Sequence, residues 1–339
     1  MSIDTIWFTR CPVPTATGLA YKLGWLAEEF ARDGIAIKTL QEVGGPLAQH
    51  HYDHGLPTLI REGGNLLALP ARAQGADTRL VGLTWIDEWQ GILVRPGSSI
   101  RSPRDLAGQR LALPVFRRID IEENRRGRSI ARGMSLAGYH GALASAGLTL
   151  ADVTLQEVGS PDPGASLWQG IGALVRGDVD AVYVKGAAAV EAARAAGVEV
   201  GIDLDALPDR RHRVNNGTPR PITVHRDLLE NHFDLLVRFL AQTLRAADWA
   251  AAHRDEVRAI LQQETQAGDD AVASAYRDGF HAALAPDLSD ERLALFEQQK
   301  NFQLVHGFLD RDVDVRAWAD ARPLAAARAL LDRGGKLAA

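Results

Sequence analysis

Ile6-Trp7-Phe8-Thr9-Arg10-Cys11-Pro12-Val13-Pro14 opens the chain with four strand-favouring residues that run into a proline-stiffened turn. Residues 15–32 then read as an amphipathic helix ending near Asp33-Gly34, and Ile35 to Val43 as a second strand. Short apolar runs alternating with longer helical patterns argue for α/β architecture. The same rhythm continues outward. Residues 57–75 look helical with an interruption at Gly63-Gly64, Leu80 to Trp85 is a third strand, and Gly91 to Arg95 a fourth. Ser102-Pro103-Arg104-Asp105-Leu106-Ala107-Gly108-Gln109-Arg110-Leu111-Ala112-Leu113 gives a short capped helix, a glycine turn and a strand.

Helices are expected at 127–146, 165–176 and 186–197, strands at 152–158 and 180–184, and an almost wholly helical stretch from about 226. Two α/β lobes joined by crossover strands fit this order. One comprises residues 1–95 plus 216–339 and the other residues 96–215, with a ligand cleft between them. Cys11, at the end of the first strand, would open onto that cleft, because α/β proteins bind ligands at strand C-termini.

The bulk properties narrow the function. At 339 residues the chain holds two domains or one large one. A net charge of −5, with 46% hydrophobic and 24% charged residues, gives no reason to expect a nucleic-acid partner. A single cysteine excludes an intrachain disulfide and any cysteine-cluster metal site. Met1-Ser2-Ile3-Asp4-Thr5 lacks the marks of a signal peptide, and no run approaches a membrane span, so a cytoplasmic protein without membrane partners is expected.

Cys11 is the first candidate for chemistry. A thiol at a helix N-terminus beside Arg10 is drawn toward thiolate; the alternative for Cys11 is a small buried hydrophobe, since free cysteines are commonly buried. Gln49-His50-His51-Tyr52-Asp53-His54-Gly55 is the second. The pair His50 and His54 has helical spacing, but no distal ligand completes a metal set, so no metal is expected. An imidazole that activates Cys11 is the better use of the segment, with solvated loop histidines as the alternative.

Arg61 followed by Gly63-Gly64 suggests an oxyanion clamp, since guanidinium grips two oxygens and glycine lets backbone N–H groups approach. No Gly-Lys-Ser/Thr follows to make a phosphate loop, and no Gly-x-Ser-x-Gly elbow occurs. The charged run Arg117 to Arg128 reads as a solvated loop or a lid over an anion. Trp85 and Trp89, flanking Asp87, belong to the core or to a ligand pocket.

Together these residues resemble the aryl sulfinate desulfinases, within the periplasmic-binding-protein-like superfamily. Cys11-Pro12-Val13-Pro14, His51 ten residues ahead of Arg61, and Gly63-Gly64 carry the likeness to the enzyme. Leu80 to Thr84, Gly91 to Arg95, Asp105 to Arg110, Gly177-Asp178-Val179-Asp180-Ala181-Val182-Tyr183 and Val313 to Trp318 extend it over most of the chain. Many of these stretches are shared with sulfonate and nitrate solute-binding proteins.

The resemblance implies a two-lobed type II fold and a catalytic set of Cys11, His51 and Arg61, with Gly64 holding the sulfinate. Tyr52-Asp53 follows the histidine directly, unlike the family's spacing, which leaves His50 beside His51 as a candidate. Gly63 and Trp85 complete the substrate-binding expectations. The implied reaction is hydrolytic carbon–sulfur cleavage releasing sulfite, without cofactor, in a monomer. Cys11 either attacks sulfur as thiolate or protonates the ring carbon, and both routes stay open. The competing class is a non-catalytic sulfonate or sulfinate receptor. A pyrimidine-synthase-like relative is weaker, for want of a cysteine-rich iron site.

Overall fold

The computed structural model describes residues 3–9, 13–43, 45–116, 129–159 and 169–337. The chain runs β1 (Thr5–Phe8), α1 (Ala16–Lys22), α2 (Trp25–Ala31), β2 (Ala36–Thr39), α3 (His50–Asp53), β3 (Leu59–Glu62), α4 (Asn65–Ala73), β4 (Thr78–Thr84) and β5 (Gln90–Val94). It continues through β6 (Arg110–Pro114), α5 (Ile130–Ser145), β7 (Thr154–Val158), α6 (Gln169–Arg176), β8 (Val182–Lys185), α7 (Ala187–Ala196), β9 (Glu199–Asp203) and β10 (Arg220–His225). Helices α8 (Arg226–Asn231), α9 (Phe233–Ala252), α10 (Arg254–Thr265), α11 (Asp269–Ala275), α12 (Asp290–Val305), α13 (Val315–Trp318) and α14 (Arg322–Leu337) close the chain.

The first sheet has the order β2-β1-β3-β10-β4. β1 lies parallel to β2 and β3, whereas β10 runs antiparallel to β3 and β4. A second sheet, β8-β5-β9, and a parallel pair, β6-β7, lie beyond two crossovers. One crossover carries Trp85–Trp89 from β4 to β5, and the other returns from β9 to β10. The main core is built on the first sheet with α1, α2 and α9, from residues such as Ile6, Phe8, Leu19, Phe30 and Phe239.

Several elements differ from the sequence reading, the second strand among them, which ends at Thr39 instead of Val43. The helix expected over 15–32 is two helices, because Gly24 takes φ +80 and breaks the first. The stretch expected as helix over 57–75 divides. Leu59 to Glu62 form a strand with all four residues buried, and only after Gly63-Gly64 does helix α4 begin. Neither β9 nor β10 was foreseen; β9 pairs with β5 in the second sheet, and β10 occupies the interior of the first. The capped turn at 103–106, Gly108 at φ +74 and strand β6 follow the predicted order. The charged run Arg117 to Arg128 lies outside the described residues, as does the start of the helix expected over 165–176. Among the described residues no helix is long and apolar enough to cross a membrane.

Candidate anion-binding site

Parallel pairing of β1 with β3 sets the C-terminal ends of both strands side by side. There the Thr9 hydroxyl donates to the Glu62 carbonyl at 2.9 Å. Successive strand residues point to opposite faces, so Arg61 and Glu62 diverge. Glu62 is buried and its Oε1 accepts from the Thr84 hydroxyl at 3.1 Å. Burial raises its pKa, against the lowering effect of Thr17, Arg220 and Thr84.

Arg61 is 1% exposed, a position where a guanidinium needs hydrogen-bond acceptors to offset its lost hydration. Its Nε donates to the His51 carbonyl at 3.1 Å and its Nη2 to the Gly64 carbonyl at 3.3 Å. The guanidinium thereby folds back over Gly63, where a Cβ would stand 2.7–2.8 Å from it. A side chain at position 63 would push the guanidinium away. The Gly63 N–H is committed to the Pro221 carbonyl at 3.3 Å.

Gly64 is the N-cap of α4. Its own N–H donates to none of the described residues, whereas the next two are taken by a residue from the returning crossover. Asn65 N–H donates to the Asn216 carbonyl at 2.8 Å and Leu66 N–H to the Asn216 side-chain Oδ1 at 2.9 Å. The Asn216 amide lies so close to Gly64 that any Cβ there would collide with it.

The histidines of α3 separate by environment. His50 Nδ1 is 2.9 Å from Asp53 Oδ1, and that carboxylate also accepts from Gly55 N–H at 2.7 Å. His50 is therefore tied into its own turn. His51 contributes its carbonyl to Arg61 and sets its ring edge-on to Tyr52 at 5.0 Å. His54 ends the helix in the left-handed region and is 3% exposed, with neither ring nitrogen hydrogen-bonded among the described residues. Burial, then the Arg61 charge, then His51 hold its pKa well below the ordinary value, so it is neutral at pH 7.

The structure thus brings His51, Arg61, Gly63 and Gly64 together, with His50 beside His51 but turned to Asp53. Trp85 stands apart, packed with Val214 and Leu295, its Nε1 donating to Asp87 at 2.6 Å and Arg210 lying 5.3 Å from its ring centroid. Cys11 lies outside the described residues. Sequence reasoning named His54 only as half of a metal pair and missed Asn216 altogether. The i, i+4 spacing of His50 and His54 was the one available signal for the former. For Asn216 the only cue was the polar turn Asn215-Asn216-Gly217. Among the described residues no cluster of three or more metal-ligating side chains occurs.

Fold and strand order define the two-lobed periplasmic-binding-protein-like class of α/β proteins. The chain belongs to the NMT1/THI5-like family, whose model matches residues 30–257. It is 28% identical over 348 aligned residues to the 2'-hydroxybiphenyl-2-sulfinate desulfinase of Rhodococcus erythropolis, covering 93% of this chain and 91% of that protein. A crystal structure of a cysteine-to-serine mutant of DszB with biphenyl-2-sulfinic acid superposes with a TM-score of 0.78 at 25% identity, over 98% of this chain and 100% of that one. The periplasmic aliphatic sulphonate binding protein SsuA of Escherichia coli shares the fold, with a TM-score of 0.69 at 20% identity over 94% and 92% of the two chains.

Proposed function

We propose that the protein is a desulfinase that hydrolyses the carbon–sulfur bond of an aryl sulfinate of the 2'-hydroxybiphenyl-2-sulfinate type. The observation that carries this reading is the end-to-end similarity to a desulfinase, 93% of one chain against 91% of the other. In this reading Arg61 and the Gly64 N–H bind the sulfinate oxygens, charge-assisted bonds that contribute about 1.5–3 kcal/mol each when buried. His51 orients the reacting groups and Cys11 supplies the sulfhydryl. The balance is R–SO₂⁻ plus water giving R–H and hydrogen sulfite, with the proton of R–H delivered to the ring carbon as the carbon–sulfur bond breaks.

For the organic half, an apolar recess in the second lobe offers a contact surface, although it would have to widen to take an aromatic ring. A cavity of about 60 Å³ is lined by Ala112, Ile130, Met134, Val182 and Tyr183 among others. Asn215 Nδ2 donates to the Met134 carbonyl at 3.1 Å and lies 2.8 Å from the Tyr183 hydroxyl, so the recess adjoins the residue next to Asn216.

Incubation of the full chain with 2'-hydroxybiphenyl-2-sulfinate, followed by assay of sulfite, tests the proposal. Sulfite release that falls at least about a thousandfold in Cys11→Ser, with an unchanged thermal midpoint, is the expected result. Undiminished release in Cys11→Ser removes the sulfhydryl from the mechanism. Binding of the sulfinate without any sulfite from the wild type favours the second reading, a sulfonate- or sulfinate-type receptor, for which the SsuA-like fold speaks.

A further inference from the structure

We propose that Asn216 is a ligand-binding residue of this site, its side-chain Nδ2 donating to an oxygen of the same sulfur oxyanion held by Arg61 and the Gly64 N–H. The inference rests on the reading that the site takes a sulfinate, and it adds a residue that reaches the site from the returning crossover.

The orientation of the amide is settled by its neighbours. Only an oxygen can accept from an N–H, so the 2.9 Å bond from Leu66 N–H identifies Oδ1 and leaves Nδ2 on the opposite side. Nδ2 donates to no described residue, and it is not among the polar side-chain atoms sealed from solvent. The amide lies against Gly64, whose N–H is also unclaimed, and Gly64 in turn receives Arg61 Nη2 on its carbonyl. Two donors without a described acceptor, the Gly64 N–H at the start of α4 and the crossover's Asn216 Nδ2, therefore lie together, with the Arg61 guanidinium of β3 held at the same residue by its carbonyl. His54 adds an independent sign that this corner is built for polar occupancy. Its imidazole is 3% exposed beside Arg61, with both nitrogens lacking a described partner.

Backbone bonds hold Asn216 in place, so the donor is preorganised. Its N–H donates to Asn215 Oδ1 at 2.7 Å, and Asn215 Nδ2 reaches Gln90 Oε1 at 3.1 Å, on β5. A donor fixed before the ligand arrives loses little entropy on binding. The same linkage ties the donor, through Asn215, to Gln90 of the second sheet.

The test separates capping from ligand binding. Asn216→Asp keeps an oxygen for Leu66 N–H and replaces the donor by an acceptor, whereas Asn216→Ala removes both without adding charge. Binding of benzenesulfinate and of its inert analogue benzenesulfonate is measured by calorimetry on the full chain. The expected losses are about tenfold to a hundredfold for Asn216→Ala and more for Asn216→Asp, with the thermal midpoint of Asn216→Asp at the wild-type value. Should Asn216→Ala fail to fold, Asn216→Asp decides. Variants that bind both anions within about threefold of wild type overturn the role of Asn216 and leave the desulfinase reading standing. A wild type that binds neither anion overturns both.

Discussion

His54 takes φ 59, a left-handed conformation that costs a non-glycine residue about 1–2 kcal/mol, and it does so with its ring packed away from water beside Arg61. Its native pKa is below the unfolded value of 6.5, first through burial and then through Arg61 and His51. Below pH 6.5 the unfolded chain therefore takes up a proton that the folded chain refuses. Stability is complete above pH 6.5 and is lost as pH falls toward the native pKa, by up to about 1.4 kcal/mol per unit. His140 and His306 are shifted the same way, chiefly by burial, so the wild-type slope contains their share. Urea midpoints at pH 7.5 and 5.5 for wild type and His54→Gln isolate the difference. The variant is expected to lose about 1 kcal/mol less over that range, and equal losses would refute the assignment. The sequence displayed the histidines but not their sorting. Which ring is buried depends on how β3 and α4 pass beneath α3, a contact between residues ten positions apart that spacing does not reveal.

At the scale of elements, the capped turn at 103–106 and most strands were legible because their punctuation is local. β3 was hidden because the pairs Leu59-Ile60 and Leu66-Leu67 recur seven residues apart, a spacing that matches one helical face as well as a short buried strand followed by a helix. β10 was hidden by Pro221, a residue that argues against an interior strand. The sheet tolerates it because the break in register falls nearby, between Ile222 and Thr223. What the local signals also miss is Asn65, fully buried at the first position of α4. Its Nδ2 donates to the Asn215 and Pro219 carbonyls at 2.7 and 3.0 Å, and its Oδ1 accepts from Gln299 and Gln303 at 3.3 and 2.9 Å. One side chain thus fastens α4 to the crossover and to α12. Asn65→Ala leaves these partners buried without it, and a loss of about 3 kcal/mol in urea denaturation is expected. Because Asn65 holds the turn that carries Asn216, affinity for benzenesulfonate should fall as well. A variant of wild-type stability and affinity would show that the turn is held by other contacts.

Across the whole molecule, one apolar cluster joins residues of the first-sheet side to residues of the β6 side. Leu66 of α4 and Phe302 of α12, with Phe308 just beyond it, pack against Leu113 of β6 and Leu136 and Ala137 of α5. Gly133 of α5 is small because Leu66 occupies the place of its Cβ. These side chains join the first-sheet side of the protein to the β6 side, close to the proposed anion site at the start of α4. Burial of this apolar surface is therefore expected to hold the two sides together even without a ligand. Phe302→Ala removes a ring that also lies 5.5 Å from His140 and 4.4 Å from His306. It is expected to cost about 3–4 kcal/mol in the folded state, the usual loss for a buried phenylalanine. The more telling readout is shape. Small-angle scattering of the ligand-free variant should give a larger radius of gyration than wild type, with the difference narrowing when benzenesulfonate is added. If the variant loses stability yet scatters as wild type with and without the anion, the cluster supports the core but does not hold the lobes together. Movement of the lobes would then be controlled by the crossovers alone.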